Sequence, residues 1–330
     1  MKVLQITTNY PCKENPIFGI FMKEQVESVE KYGVKNTIFF SNGLKSKRKG
    51  KYGAKWLHLF SAVKLFFHLC THKYDIIHCH SVISGLIFYY SQGFRFNKRA
   101  ILSLQNDPTM VGGSDARYYK FLYPIFKKII VKIHPTNSDK KIVYLPNGVN
   151  TDFFRPLKKD ECKRYLNLDP NKRYILFVDS NSGKARTQKR RDRFDKTLEI
   201  LRNKYGHTDI EPLVMIGIER EKVPLYINSC DFHLLSSDQE GSPNSVKECM
   251  ACNIPCVTTP VGNVRDLFND VNGCYFSENF SSEELAKLCD IVLRQQYRDY
   301  LPNCIKEKGL DSDSIAVRLK ELYEKIYSPE

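Results

Sequence analysis

The chain has 330 residues, of which 42% are hydrophobic and 12% aromatic, and its 51 Lys and Arg residues against 37 Asp and Glu residues give a net charge of +14. This composition can fill real cores, which excludes a disordered chain and a collagen-like repeat, and the length predicts two domains of about 150 residues each. No apolar run is long enough to predict a membrane-spanning helix, and the first residues do not resemble a signal peptide. Eleven cysteines without the spacing of a disulfide scaffold favour a reducing cytoplasm.

The first 150 residues alternate strand-like runs with amphipathic stretches. The predicted elements are strands over 3–7, 37–40, 75–80, 100–104 and 142–145, and helices over 20–31, 54–70, 82–90 and 116–128. Strands and helices that alternate at this spacing predict a parallel sheet with crossover helices.

The positive charge is concentrated in this half of the chain. Residues 1–150 hold 23 Lys and Arg against 8 Asp and Glu, whereas the remainder is nearly neutral. So basic a half favours an anionic partner: a membrane face, nucleic acid or a phosphorylated acceptor. The sequence lacks the signatures of an RRM, a zinc finger or a helix-turn-helix, so we do not expect nucleic acid to be that partner.

The densest basic stretch, Lys45–Lys51, precedes a helix with two open interpretations. The residues that share one side of it at helical spacing are Trp56, Phe60, Val63, Phe67 and Cys70. A basic flank beside an aromatic amphipathic helix suits the surface of an anionic membrane. The same stripe also fits the inner face of a core helix beside a solvated lysine loop, and the sequence alone favours this second interpretation.

A polar, proline-containing segment at 154–159 predicts the domain junction, which gives domains at 1–156 and 157–311. The elements predicted beyond it are strands over 174–178, 213–216, 232–235 and 255–258, and helices over 192–203, 223–228, 243–252, 283–293 and 314–327. The chain is therefore expected to be an α/β protein with two doubly wound parallel sheets that face a cleft, and to bind ligands at the C-terminal ends of the strands.

The most informative window follows the strand at 232–235. Glu240 and Gly241 lie in a polar loop, and Ser242 followed by Pro243 predicts the N-cap and first residue of a helix. Glu248 comes eight positions after Glu240, near the second turn of that helix. Two carboxylates there can accept hydrogen bonds from pairs of sugar hydroxyls, and the free N–H groups of the helix start can bind an anion.

The window SSDQEGSPNSVKECMACNIPCVTTPVGNVRDL, residues 236–267, resembles the E-x7-E signature of retaining GT-B glycosyltransferases of family 4, which use nucleotide-sugar donors. Other segments that resemble this family are LPNGVNTDFFRP at 145–156, YDIIHCHSVISG at 74–85 and PIFGIFMKEQ at 16–25. The resemblance extends over essentially the whole chain. It implies two Rossmann-like domains, with a C-terminal helix within 312–330 that packs back on the N-terminal domain.

The resemblance also implies roles for individual residues. The implied donor-binding residues are Gly19, Glu240, Gly241, Ser242, Pro243, Asn244, Ser245 and Glu248. Glu240 would contact the donor sugar and Glu248 the ribose hydroxyls. His80 would lie in the cleft near the transferred sugar, and Gly19 would let the backbone approach the diphosphate.

The family's cations, which stabilise the leaving diphosphate, are usually an Arg and a Lys in the loop after the first strand of the second domain. In this chain that loop, residues 180–194, has six basic residues at an unusual spacing, and we assign Arg186 and Lys189 to the role. The implied catalytic residues are then Glu240, His80, Arg186 and Lys189. The other four basic residues are interpreted as a solvated coat.

Metal and redox chemistry are not expected. His78 and His80 share one side of a strand, but the sequence offers no third ligand and the family usually works without a bound metal. The CxxC at 249–252 lies within the signature helix and has no second CxxC, so it predicts small buried cysteines. We therefore expect neither a metal nor a cofactor.

The expected function is that of a retaining, metal-independent hexosyltransferase (EC 2.4). It would move a sugar from a UDP- or GDP-type nucleoside-diphosphate sugar to a glycan acceptor, lipid-linked, in cell-surface polysaccharide biosynthesis. The protein would be cytoplasmic, peripheral on the inner face of the membrane, and held there by Lys45–Lys51. The alternative is a catalytically silent subunit that binds nucleotide or glycan and scaffolds a partner enzyme; Gln105, where the family often has a histidine, favours it.

Overall fold

The protein is described from a computed structural model that covers residues 1–42, 50–91, 98–105, 113–135, 138–179, 187–295 and 299–328. The chain divides into two compact units. The first contains Met1–Gly148 and Ser312–Glu330, and the second contains Val149–Asp311. None of the helices in the described ranges has the length and apolar character needed to cross a membrane.

In its described residues the first unit is a six-stranded parallel sheet with helices on both faces, in the order β2-β1-β3-β4-β5-β6. Its strands are β1 (Lys2–Thr7), β2 (Lys35–Phe40), β3 (Ile76–Cys79), β4 (Ala100–Ser103), β5 (Lys128–Val131) and β6 (Ile142–Tyr144). The helices between them are α1 (Ile20–Glu30), α2 (Gly50–Thr71), α3 (Val82–Tyr90) and α4 (Gly113–Leu122).

The described residues of the second unit form a five-stranded parallel sheet in the order β11-β10-β9-β7-β8. Its strands are β7 (Arg173–Asp179), β8 (Ile210–Ile216), β9 (Phe232–Leu235), β10 (Cys256–Thr258) and β11 (Tyr275–Phe276). Its helices are α5 (Lys159–Tyr165), α6 (Arg191–Tyr205), α7 (Val223–Ser229), α8 (Asn244–Ala251), α9 (Val264–Phe268), α10 (Ser282–Arg294) and α11 (Leu301–Glu307). The chain then returns to the first unit with α12 (Ser312–Tyr327). Two parallel-sheet α/β domains are the architecture that the sequence predicts.

Helices cover both faces of each sheet. Since successive strand residues point to opposite faces, neighbouring residues of one strand pack into different core clusters. In β1, Val3 faces a core cluster that includes α12, whereas Leu4 and Ile6 face a second cluster formed with α2 and α3. In β7, Leu176 packs on the side of α7 and α8, and Phe177 packs on the side of α6 and α10. The sheets therefore hold their C-terminal strand ends on rigid, doubly covered scaffolds.

The structure corrects the sequence prediction at two boundaries in the first half. The helix predicted over 116–128 ends at Leu122, and the short strand β5 begins at Lys128; Pro124 follows the helix and cannot continue it. The junction predicted at 156/157 lies inside the second unit, since Phe154 is fully buried in that unit's core and Val149 pairs with Asp311.

The interpretation of the aromatic stripe on α2 as a core face is wrong. Trp56 is 72% exposed, Phe60 57% and Phe67 64%, whereas Leu65 and Leu69 are buried. Helical periodicity identifies an apolar face, but α2 is apolar on two sides and the sheet takes the one with the smaller side chains. The neighbouring Lys45–Lys49 lie outside the described residues.

Candidate functional site

The loops after three neighbouring strands of the second unit are joined by hydrogen bonds. The Asp238 N–H donates to the Gln188 carbonyl (2.8 Å), which joins the loop after β9 to the turn after β7. The Thr259 hydroxyl donates to the Ser237 carbonyl (2.6 Å), and the Asn263 N–H donates to the Gly241 carbonyl (3.0 Å). Because parallel strands end at one edge, these contacts build a single platform at the C-terminal edge of the sheet.

A glycine allows the loop after β10 to approach this platform. Gly262 has a φ of +58°, and a Cβ at this position would overlap the carbonyl oxygen of Gly241. Only glycine adopts this backbone conformation without strain while leaving room for the neighbouring loop. Gly262 therefore fixes the position of Glu240 and Gly241.

Glu240 forms a close ion pair with Lys189. The Lys189 Nζ lies 2.6 Å from Glu240 Oε1, and the two side chains are only 12% and 16% exposed. The Ser237 hydroxyl donates to the same carboxylate oxygen (2.8 Å). Partial burial strengthens a charge-assisted hydrogen bond relative to one in water, so this pair fixes the Glu240 carboxylate at the strand ends.

Glu248 has its own cation, Arg220, which the sequence analysis did not identify. Arg220 Nη1 lies 2.9 Å from Glu248 Oε1, with side chains 16% and 11% exposed, and its guanidinium lies 4.7 Å from the Phe154 ring centroid. Arg220 follows β8, 28 residues before Glu248. Only the parallel sheet, which brings the end of β8 to the same edge, reveals the pairing.

Helix α8 begins at this platform without a side-chain cap. The predicted N-cap role of Ser242 is wrong: the helix starts at Asn244, Pro243 occupies the cap position, and the Ser242 hydroxyl accepts a hydrogen bond from Lys247 Nζ (3.0 Å). A proline side chain cannot accept from the first helical N–H groups. Buried Asn244 Oδ1 also has no hydrogen-bond partner within the described ranges. The start of α8 is therefore suited to an anion or a hydroxyl-rich ligand.

Two other side chains of α8 point into the protein. Lys247 is completely buried, and burial lowers the pKa of its ammonium to about 7 although Glu248 opposes the shift. Ser245 is buried and its hydroxyl lies 3.1 Å from His233 Nε2. Ser245 thus positions the helix against β9. The Lys247 ammonium, whose pKa is lowered, lies next to Ser242 in the loop that precedes the helix.

The basic residues after β7 divide by their contacts. Lys189 pairs with Glu240. Arg193 is 7% exposed and donates to the Ser236 carbonyl (2.6 Å) and to Asp238 (2.8 Å), so it holds the loop after β9. Arg190 immediately precedes α6, and it pairs with Asp238 and with Asp192 in the first turn of that helix. Arg186 and Lys184 lie outside the described residues.

Gly19 and His80 belong to the first unit, whereas the other described site residues belong to the second. Gly19 precedes α1 with a φ of +67°, and a Cβ there would lie 2.5 Å from the Asn9 carbonyl carbon. The glycine is required because the segment after β1 passes directly over it.

His80 lies in a buried network at the end of β3. Its Nε2 lies 2.6 Å from Gln5 Oε1, and Tyr323 OH bonds both Gln5 Nε2 (3.3 Å) and His78 Nδ1 (2.7 Å). An amide oxygen only accepts, so His80 Nε2 carries its proton and Nδ1 is an acceptor. Burial, with Lys132 nearby, lowers the pKa of His80 to about 3, so the ring is neutral at pH 7.

Cysteines of the signature helix are buried core residues, as the sequence predicts. Cys249 and Cys252 are 0% and 2% exposed, and burial raises the pKa of each thiol to about 12. Over the described residues, no three His, Cys, Asp or Glu side chains are grouped to hold a metal ion.

This arrangement sets two carboxylates, each held by a cation, around an uncapped helix start. The carboxylates can accept from sugar hydroxyls, while the helix N–H groups and the cations can stabilise a phosphate. Neutral hydroxyls and an anion can therefore be bound together at one edge of the second sheet.

The comparisons with known proteins agree with this chemistry. The family model described as Glycosyl transferases group 1 matches residues 190–295, which contain both carboxylates. A protein of Bacillus subtilis (strain 168), TuaC, named as a candidate teichuronic acid biosynthesis glycosyltransferase, is 22% identical over 81% of this chain and 83% of its own length.

Solved structures share the architecture over the full chain. Sucrose-phosphate synthase from Thermosynechococcus elongatus superposes with a TM-score of 0.75 at 14% identity, covering 100% of both chains. HepE from Anabaena, solved with UDP and glucose, superposes with a TM-score of 0.69 at 12% identity, covering 98% of this chain and 100% of its own. The chain therefore has the GT-B fold, and its residues 190–295 match the model of the group 1 glycosyltransferases.

Proposed function

We propose that this glycosyltransferase moves a sugar from a UDP- or GDP-type nucleoside-diphosphate sugar to a lipid-linked glycan acceptor in cell-surface polysaccharide biosynthesis. The transfer retains the anomeric configuration and needs no metal ion. The observation that carries the proposal is the pairing of Glu240 with Lys189 and of Glu248 with Arg220 beside the uncapped start of α8.

The cations supply the electrostatic part of the reaction. A lysine ammonium has three donors, of which the contact with Glu240 uses one, so Lys189 can also approach a phosphate oxygen. As the bond to the leaving diphosphate breaks, negative charge grows on its oxygens. A cation and helix N–H groups fixed in advance stabilise that charge without reorganising, which is how a site of this kind works without a metal.

The carboxylates supply recognition. Glu248 would accept from the ribose hydroxyls and Glu240 from hydroxyls of the transferred sugar. The ion pairs hold both carboxylates in a fixed orientation before the donor arrives, which reduces the ordering cost of binding. His80 is assigned a neutral role, with Nδ1 as an acceptor, because a ring with a pKa of about 3 carries only its Nε2 proton at pH 7.

The choice of donor and pathway draws on the relatives. HepE was solved with UDP and with UDP-glucose, which supports a UDP-sugar as the first donor to test. TuaC is named for teichuronic acid biosynthesis, which supports a role in the biosynthesis of a cell-surface polysaccharide. The excess of basic residues in 1–150 suits an anionic, lipid-linked acceptor.

The experiment begins with thermal shifts of the purified protein against UDP, GDP, ADP and their sugars. The best donor is then followed for slow hydrolysis, and proton NMR identifies the anomer that is released first. We compare Glu240→Gln and Glu248→Gln with the control Glu283→Gln, an exposed carboxylate on α10. EDTA is added in a parallel series.

We expect Glu240→Gln to lose about 100-fold or more in hydrolysis and to keep nucleotide binding, because it contacts the sugar end. Glu248→Gln should weaken nucleotide binding, and Glu283→Gln should change neither. Wild-type rates in both signature variants would contradict the assignment, an inverted first product would contradict retention, and sensitivity to EDTA would contradict metal independence. Nucleotide binding without turnover by any donor would favour the silent subunit.

A further inference from the structure

Helix α2 exposes a continuous apolar face that no part of the described chain covers. Its exposed large side chains, 40% to 72% accessible, are Trp56, Leu59, Phe60, Val63, Phe66 and Phe67. At 100° per residue these six span an arc of about 120° along the helix. A monomer seldom leaves an apolar patch of this extent in water unless the patch has a partner.

The charges beside this apolar face are arranged in a specific way. Lys55 and Lys64 are both exposed, and at 100° per residue they fall on the two opposite edges of the apolar arc. Lysines in such positions extend their ammonium groups to lipid phosphates while the aromatic side chains enter the acyl boundary. Helix α2 contains no acidic residue.

The surroundings of α2 extend the same pattern. On the same face of the first sheet, α3 packs beside α2 and α4 packs beside α3, and these two helices expose Tyr90 (66%) and Phe121 (45%). Residues 31–106 hold 13 Lys and Arg and a single acidic residue, Asp75. Exposed aromatic rings in a strongly basic surface complement a layer of anionic headgroups.

We propose that the apolar face of α2, bordered by Lys55 and Lys64, inserts into the surface of an anionic phospholipid bilayer. The charges favour a bilayer over a second copy of the chain, because two copies paired through this face would bring lysines against lysines. Only the biological role of this membrane contact, which is to bring the first unit to a lipid-linked acceptor, rests on the proposed function. Its test needs neither donor nor acceptor.

The native protein carries its own probe, since Trp56 is the only tryptophan in the chain. Its side chain is 72% exposed, so its fluorescence begins at long wavelength and should shift to shorter wavelength as the ring leaves water. We titrate the full chain with phosphatidylcholine vesicles with or without phosphatidylglycerol, and measure Trp56 emission together with co-flotation. We expect a blue shift and flotation with the anionic vesicles, and affinity at least about tenfold lower for neutral ones.

Matched variants distinguish insertion of this face from non-specific adsorption of exposed aromatic side chains to the vesicles. Phe60→Ser/Phe67→Ser removes two exposed rings of α2, and Tyr165→Ser/Tyr300→Ser removes two of similar exposure (63% and 53%) in the second unit. We expect the first pair to lose vesicle affinity by about tenfold or more and the second to bind as wild type, since only α2 is inserted. Circular dichroism should show that both pairs are folded.

The lysines are tested in the same way. Lys55→Gln/Lys64→Gln should weaken binding and reduce its dependence on salt, whereas Lys287→Gln/Lys306→Gln, two exposed lysines of the second unit, should not.

Three results would overturn the proposal: no blue shift with anionic vesicles, unchanged affinity in Phe60→Ser/Phe67→Ser, or a blue shift that grows with protein concentration in the absence of vesicles. The last would assign the face to a second copy. If the protein binds vesicles but hydrolyses no donor, the membrane proposal stands and the proposed reaction is contradicted. If it hydrolyses a donor but does not bind vesicles, the proposed reaction stands and the membrane proposal is contradicted.

Discussion

Replacing Lys247 by methionine should stabilise the protein, and more so at low pH. The Lys247 side chain is fully buried, and burial lowers its pKa from 10.5 to about 7. Between these values the unfolded chain binds a proton that the folded chain does not, so the stability of the wild type rises with pH in this window. Below pH 7 the folded state must instead carry a buried charge.

The magnitude follows from the shift. A difference of about 3.5 pKa units at about 1.36 kcal/mol each corresponds to about 5 kcal/mol of destabilisation near pH 6, and to about 2 kcal/mol at pH 9. Methionine has a similar length and no charge, but it loses the 3.0 Å hydrogen bond to the Ser242 hydroxyl, which contributes about 1 kcal/mol. We therefore expect Lys247→Met to gain about 4 kcal/mol at pH 6 and about 1 kcal/mol at pH 9.

Differential scanning calorimetry of both proteins at pH 6 and pH 9 measures this effect. A gain of 1 kcal/mol raises Tm by about 2–4 °C for a domain of 150–250 residues, so the difference at pH 6 should exceed 8 °C. Lys163→Met is the control. Lys163 is also buried, but its ammonium donates to the carbonyls of Pro170 (3.1 Å) and Lys172 (2.7 Å), so its loss should lower Tm. A Tm difference for Lys247→Met that is negative, or equal at both pH values, would refute this reasoning.

Three further substitutions test the platform and the buried network. Arg220→Gln leaves Glu248 without its cation, and isothermal titration should show at least about tenfold weaker nucleotide binding with little loss of secondary structure. Gly262→Ala forces a Cβ into the Gly241 carbonyl at a positive φ, so Tm should fall and donor hydrolysis with it, and an unchanged Tm would contradict the close approach. Tyr323→Phe removes a hydroxyl that bonds two buried side chains, and urea unfolding should show a loss of about 1–3 kcal/mol.

The sequence predicted the local parts of the site better than the parts that meet only in three dimensions. Glu240 and Glu248 lie within one loop and one helix, so their spacing along the chain already places them at the same edge of a sheet. Arg220 was missed because it follows another strand and has no motif of its own. Burial of Lys247 was missed as well, since a lysine next to a glutamate on a helix normally faces solvent.

Periodicity had a similar limit in the first unit. It identified α2 and its aromatic stripe, but a helix with apolar residues on two sides does not indicate which side meets the sheet. Strand β5 was not predicted, because a short apolar run between lysines fits a helix as well as a strand. Only tertiary packing distinguishes the two.

The position of α12 has a consequence for the order in which the protein matures on the ribosome. Its Ile315, Leu319 and Tyr323 complete the layer that covers Val3 and Ile76, yet they are synthesised after the whole second unit. At about 5–20 residues per second, translation of the intervening segment takes roughly 8–33 s, during which one side of the first sheet lacks part of its cover. The second unit is continuous in the chain and can fold in that interval. A nascent or truncated chain without its last helix would therefore present an uncovered apolar sheet, a natural target for chaperones and proteases.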